Sequence, residues 1–423
     1  MAQQQRNWVA IITMFFIFGM ISFVTNMAAP FGNIWGFTYD WAGMAGNLMN
    51  FTAYLFMGIP AGNMLIKFGY KKTALIALGV GVVGLGVQLL SSVVGADVPV
   101  VEIGGQMCAL NLFIYLLGAL ICGFCVCMLN TVVNPMLNLL GGGGNTGNQL
   151  VQAGGSINSL TGTLTPMLVG VLIGTLTKET TMAEVAPLVI TGMCIFAAAL
   201  VIISFIKIEE PQGDLSNVTY EKSPVAFRHC LLGIIAIFFY VGIEIGVPGE
   251  MNMWISRLPF EGAAAVAGSM AAIYWALMLV GRIASTAISA KVSTRAQMIC
   301  VSSTAIVLLL AAIFTGSINV NIFGGDVPLS CVFIFLTGIC TSIMWGGIFN
   351  LSTEGLGKYT AKASGLFMMM VVGGGIMPFI QDNVVRPYTG YLGSYWLIIA
   401  MLAYILYYSL IGCKNVNKDI KVD

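Results

Sequence analysis

The chain has 423 residues, of which 58% belong to the apolar set A, V, I, L, M, F, W, Y and C and only 8% are charged. A soluble protein needs roughly 25% charged residues to cover its surface, so most of this chain's solvent is lipid. The net charge of +1 leaves no basic face to neutralise phosphates, which excludes nucleic acid as a partner.

Apolar runs long enough to cross a bilayer as helices, about 20 residues each, predict twelve spans. They fall near 8–29, 42–66, 73–95, 107–134, 150–176, 185–207, 229–252, 263–290, 297–316, 328–351, 362–382 and 390–412. The first run exceeds the roughly 7–15 residues of a signal-peptide core, and a second span follows at once. Despite Met27-Ala28-Ala29, which faintly resembles a cleavage site, it is expected to be a membrane helix carrying Asn26. Span 2 carries Asn47 and Asn50 on one face, and span 4 carries Asn130, Asn134 and Asn138 in one row at four-residue spacing. Span 5 adds Gln152 and Asn158. Each amide offers two donors and an acceptor, the complement of a polyhydroxylated solute. For any single amide, bonding between helices is the competing reading.

Cys122-x-x-Cys125-x-Cys127 has no second cluster and lies in a lipid-length helix, so it reads as packing rather than metal or redox chemistry. Gly141 to Gly144 lacks the Gly-Lys-Ser/Thr that completes a phosphate loop. The charged stretch from Lys207 to Arg228 divides the chain. A six-helix bundle over 1–206, a cytoplasmic linker over 207–228 and a second six-helix bundle over 229–423 are expected, the layout of transporters built from repeats. His229, at the inner start of span 7, reads as an ordinary interfacial residue.

In span 7, Glu244 is the acid placed well inside the membrane, with Glu250 near the outer end of the same span. A charge at the bilayer centre costs ~2.5–3.5 kcal/mol or more, so Glu244 should face a cavity and have a partner. Gly242, Gly246, Pro248 and Gly249 weaken the helix there, as tolerated where it lines a water-filled site. A structural Glu bonded between helices is the alternative. Trp275 and Trp345 fall near mid-span, where a flat ring suits the C–H face of a sugar. Trp35, Trp41, Trp254 and Trp396 lie nearer span ends and read as interfacial anchors.

Charge placement orients the spans. With a cytoplasmic N-terminus, fifteen of the eighteen basic residues fall in inner segments, and only Lys178, Arg257 and Arg386 fall outside. Both termini are therefore expected inside. A membrane enzyme would need a clustered nucleophile or metal set, and a channel a filter repeat. Neither pattern is present, and a carrier fits best.

Several stretches carry a family resemblance. Ile59-Pro60-Ala61-Gly62 followed by Lys67-Phe68-Gly69-Tyr70-Lys71-Lys72 resembles the inner-loop signature of the major facilitator superfamily, with Ile66 in place of its usual Asp. Asn130-Thr131-Val132-Val133-Asn134-Pro135, Tyr240-Val241-Gly242-Ile243-Glu244, Gly281-Arg282 and Gly373-Gly374-Gly375-Ile376-Met377-Pro378 resemble the fucose permease and glucose/galactose transporter branch. The resemblance covers essentially the whole chain. It implies an all-α membrane protein of the major facilitator fold, twelve helices in two bundles, importing a monosaccharide or small saccharide by alternating access about a central site. Proton-coupled relatives carry acids where Asn26 and Asn130 stand here, so any coupling to H⁺ or Na⁺ is expected to rest on Glu244. Expected substrate-binding residues are Asn26, Asn47, Asn50, Asn130, Asn134, Gln152, Asn158, Glu244, Trp275, Trp345 and Asn350, with Gly62, Lys71, Lys72 and Arg282 closing the inner gate. No cofactor is expected beyond a coupling ion, and the partners are a sugar and the bilayer, with a monomer sufficing. An uncoupled uniporter, or an exporter of another small polar or amphipathic solute, is the alternative.

Overall fold

A computed structural model describes residues 7–39, 41–42, 45–172, 180–208, 220–261, 263–316, 318–322, 324–417, 420 and 422. Half of the expected linker, residues 209–219, lies outside them, as do Arg6, Lys178, Lys418 and Lys421. Helix α1 (Trp8–Thr38) starts where the Asn7 side chain accepts the Ala10 N–H at 3.1 Å, satisfying one of the unpaired donors of a helix start. Helix α2 (Ala45–Leu90) is 46 residues long, and its backbone leaves helical geometry at Gly69 (φ 78°, ψ 175°). Only glycine adopts that conformation cheaply. The break falls in the basic stretch Lys67 to Lys72, where spans 2 and 3 were expected to part.

Strands β1 (Pro99–Ile103) and β2 (Gln106–Ala109) form an antiparallel hairpin turning at Gly104 and Gly105, both at positive φ. Then come α3 (Leu110–Leu140), α4 (Gly144–Leu172), α5 (Ala186–Phe205), α6 (Arg228–Ser256), α7 (Ala263–Ile288) and α8 (Thr294–Phe314). A second hairpin, β3 (Asn319–Ile322) and β4 (Gly325–Pro328), turns at Gly324. Helices α9 (Ser330–Thr341), α10 (Met344–Thr353), α11 (Thr360–Met369), α12 (Gly373–Ile380) and α13 (Arg386–Tyr407) complete the chain, with a π-helical turn over Gln381–Val385 and a second glycine break at Gly390 (φ 73°, ψ 178°). The hairpins correct one expected boundary: residues 106–109 pair as a strand, and the helix of span 4 begins at Leu110.

Among the described residues, nine helices or helical runs are long and apolar enough to cross a membrane. Their outward faces carry Phe205 at 85% and Phe314 at 78% exposure, surfaces that a bilayer accepts and water does not. The chain forms two compact units. One comprises Met1–Leu137, Ile157–Thr219 and Ser364–Met369; the other comprises Asn138–Ser156, Tyr220–Ala363 and Met370–Asp423.

In the first unit, small residues set the helix spacing. A side chain on Gly365 of α11 would come within 2.8 Å of the Gly62 Cα on α2, and one on Gly84 of α2 within 2.8 Å of the Cys122 amide nitrogen on α3. Trp35, expected as an interfacial anchor, is instead buried. Its ring stacks at 6.3 Å on Tyr39 and lies 5.5 Å from Tyr115, and the Tyr39 hydroxyl accepts the Ala109 N–H at 3.0 Å.

In the second unit, α6 is the central helix, packed by α7, α9, α10, α12 and α13. Gly373 of α12 lies against the Phe238 carbonyl with no room for a Cβ, and Gly338 of α9 lies likewise against Tyr274 of α7.

Candidate functional site

The central helix brings together two residues that the sequence placed in different roles. Glu244, midway along α6, forms an ion pair with Arg282 of α7, its Oε1 3.3 Å from Nη2. Both side chains are largely buried, at 15% and 10% exposure, so the pairing answers the need of a membrane carboxylate for a countercharge. Arg282 does more than neutralise. Its Nε donates to the Ser342 carbonyl at 3.1 Å, in the break between α9 and α10, and its Nη1 donates to the Gly155 carbonyl of α4 at 3.1 Å. A planar guanidinium offers its donors in a fixed fork, which suits it to tie several elements at once. One turn before Glu244, Tyr240 is fully buried, and its ring meets Trp345 edge-on at 6.3 Å.

The segment Asn138–Ser156 is fastened to the rest of its unit by amides. Asn138 Nδ2 donates to Asn350 Oδ1 at 2.6 Å, Asn148 Nδ2 to Ser289 Oγ at 3.1 Å, Gln149 Nε2 to the Thr286 carbonyl at 3.1 Å and Gln152 Nε2 to the Ile343 carbonyl at 2.8 Å. Asn145 Oδ1 accepts the Thr294 N–H at 3.3 Å, and Asn350 passes its own Nδ2 to Thr294 Oγ1 at 3.0 Å. The spacing of residues 145, 148, 149, 152 and 155 puts their groups on one face of α4, while Asn138 joins from the end of α3. Together they make a lock of neutral hydrogen bonds that ends, at Gly155, on Arg282. A cavity of about 570 Å³ opens beside it, lined among others by Asn145, Asn350, Arg295, Glu354 and Lys414 but not by Glu244.

In the first unit, Asn130 Nδ2 donates to the Tyr54 hydroxyl at 2.8 Å, and Asn134 Nδ2 to the carbonyl of Asn130 at 2.8 Å. Asn26 Nδ2 bonds back to Ser22, and Asn158 Nδ2 reaches the Phe18 carbonyl at 3.3 Å. Asn50 keeps its buried Oδ1 without a hydrogen-bond partner among the described residues. Asn47 is half-buried.

A model of the Major Facilitator Superfamily matches residues 9–378. The chain belongs to this superfamily of transporters. Over 422 residues it is 28% identical to a putative glucose/galactose transporter of Helicobacter pylori (strain J99), covering 96% of each chain. Over 425 residues it is 26% identical to a glucose/galactose transporter of Brucella abortus, covering 97% of this chain and 96% of that one. Among solved structures, a variant of the E. coli fucose:proton symporter FucP matches with a TM-score of 0.79 at 16% identity, over 96% of this chain and 98% of that one. The proton:xylose symporter XylE bound to 6-bromo-6-deoxy-D-glucose matches with a TM-score of 0.73 at 12% identity, over 97% of each chain. At these identities the solved structures establish the superfamily's all-helical fold for this chain.

In this facilitator, the residues singled out from sequence fall in different settings. Glu244 and Tyr240 lie one turn apart on α6, with Trp345 of α10 against the Tyr240 ring. Gln152 and Asn350, expected to bind substrate, both hold the amide lock. Trp275 is 39% exposed, its ring edge-on to Tyr274 at 5.4 Å. Of the expected inner-gate residues, Arg282 joins the lock to Glu244 and Gly62 meets Gly365, while Lys72 is exposed. Lys71 Nζ caps the end of α5, donating to the Ser204 and Ile206 carbonyls at 2.9 and 2.6 Å. Arg295 caps the end of the last helical run in the same way, at the Ser409 and Leu410 carbonyls.

Proposed function

We propose that this facilitator imports a monosaccharide or small saccharide of the fucose, glucose or galactose kind across the inner (plasma) membrane by alternating access, coupled to H⁺ or Na⁺ through Glu244. Sugar as the substrate is supported by whole-length similarity to two proteins named glucose/galactose transporters. Reading the breaks at Gly69 and Gly390 as turns between spans, joining α9 to α10 and α11 to α12, and adding α4 gives twelve spans. Two features recur in each half and support a repeated bundle. A hairpin follows the third helix of each half, and a cation at the start of that third helix, Lys71 or Arg295, caps the sixth. With the basic residues inside, both termini face the cytoplasm, and a single copy suffices.

The observation that carries the mechanism is the ion pair of Glu244 with an arginine that also holds the lock. While Glu244 is charged, Arg282 is neutralised and oriented toward the Gly155 and Ser342 carbonyls. A cation arriving at Glu244 replaces that countercharge and leaves Arg282 uncompensated in a low-dielectric site, an arrangement costing several kcal/mol. Relief requires Arg282 to move, and its movement breaks the bond to Gly155 at the end of the lock. A sugar hydroxyl bonding Glu244, with Trp345 under its C–H face, makes the moved state favourable only when the site is loaded.

An uncoupled carrier is the competing reading, since Asn26 and Asn130 cannot carry a proton. The two separate in proteoliposomes bearing Glu244→Gln. Coupling through Glu244 predicts loss of concentrative uptake with counterflow exchange retained; wild-type accumulation by the variant would sink it.

A further inference from the structure

The far end of α6 holds a second buried acid, outside the coupling site. Glu250 lies six residues beyond Glu244, about 9 Å further along the helix axis at 1.5 Å per residue, and is 3% exposed. Its nearest cation is Arg386 at the start of α13, whose Nε is 3.6 Å from Glu250 Oε1, too far for a hydrogen bond. That same Nε donates to Asp382 Oδ1 at 2.6 Å, in the π-helical turn. Glu250 Oε1 accepts no hydrogen bond from any described group.

The other polar groups packed around it are engaged elsewhere. Arg257, just past the end of α6, donates to the Tyr391 hydroxyl and lies over its ring. Arg386 covers that ring too, at 5.0 Å. Tyr395 of α13 donates to the Val247 carbonyl at 2.9 Å, and Gln381 of the π turn to Ser394 Oγ at 3.2 Å. Two carboxylates thus share one N–H, which can point at only one of them. Oε1 of the buried one goes without.

A charged carboxylate in that position loses most of its hydration, its Oε1 gains no hydrogen bond in exchange, and a second carboxylate nearby adds repulsion. A bound cation removes both penalties. A metal ion is disfavoured, because it would sit against the Arg386 guanidinium and needs several oxygen ligands that are not gathered here. A proton needs one oxygen and leaves the guanidinium unopposed. We propose that Glu250 is a proton-binding carboxyl, separate from Glu244, which stays neutral while Asp382 holds Arg386 and gives its proton up when Arg386 turns to it. The proton leaves for water through Asp382, whose side chain is 26% exposed while that of Glu250 is 2%. The bond broken is the Glu250 O–H, and the bond formed is O–H on the Asp382 carboxylate or on water.

The test uses the purified full chain without any sugar, so its outcome is independent of the substrate reading. Infrared difference spectra are recorded as buffer is stepped from acid to alkaline, for wild type, Glu244→Gln, Glu250→Gln and Arg386→Gln. The expected result is loss of one titrating protonated-carboxyl component in Glu250→Gln and its retention in Glu244→Gln. Arg386→Gln, which keeps the carboxyl in place, should hold that component into alkaline buffer, and this arm stands even if Glu250→Gln fails to fold. Wild-type spectra from a folded Glu250→Gln, or from Arg386→Gln, would overturn the assignment.

Discussion

Cutting the lock along the segment Asn138–Ser156 should loosen that segment by an amount that its bonds allow to be worked out. Asn138, Gln149 and Gln152 each contribute one side-chain hydrogen bond across to the partner segment, at 2.6, 3.1 and 2.8 Å. Between helices in membrane proteins such bonds average ~0.6 kcal/mol, because the alternative state also finds partners. Asn138→Ala/Gln149→Ala/Gln152→Ala therefore destabilises the locked arrangement by about 1.8 kcal/mol, roughly twentyfold in its population relative to the unlocked one. Asn148→Ala should do less than Asn138→Ala, since Asn148 already carries a buried Oδ1 without a partner whose removal offsets the lost bond to Ser289. Hydrogen exchange of backbone amides in the α4 start reads the opening directly. The triple variant should exchange there roughly twentyfold faster, with the amides of α5, which makes no bond in the lock, unchanged. Wild-type protection in the triple variant would mean that these amides hold nothing closed.

Three further outcomes follow from other contacts. Glu244→Gln leaves Arg282 buried without its countercharge, so it should lower stability by about 3 kcal/mol, and Glu244→Gln/Arg282→Gln should recover most of that loss in thermal unfolding. Gly373→Ala places a methyl against the Phe238 carbonyl and should cost about 1–3 kcal/mol, whereas Gly249→Ala meets nothing within 4 Å and should unfold near the wild-type temperature. Lys71→Ala and Arg295→Ala each uncap a helix end and should each cost about 1 kcal/mol without changing the KM for sugar.

Hydropathy made the helical runs legible, because bilayer thickness imposes a length on every span. The breaks were legible too, since Lys67 to Lys72 surrounds the glycine that turns the chain. The hairpins were missed although Gly104-Gly105 is a strong turn signal. Apart from β2, they fall almost wholly between the expected spans, and strands of four or five residues are too short for a criterion set by bilayer thickness to register. The pairing of Glu244 with Arg282 could not be read, because 38 residues separate them and no periodicity links two helices. The chemistry of the amides was visible but their partners were not. Glu250 was passed over as a span-end residue. A signal did exist: Arg257 and Arg386 are two of the three basic residues that break the inward charge bias, and both lie around that carboxyl.

The most direct measurement is uptake of labelled glucose, galactose and fucose into proteoliposomes, with a proton gradient or a sodium gradient imposed separately. Coupling through Glu244 predicts that at least one of these sugars accumulates above its outside concentration under one gradient and not under the other. Equilibration without accumulation under both gradients would contradict the coupling, and no uptake of any sugar would contradict the function itself.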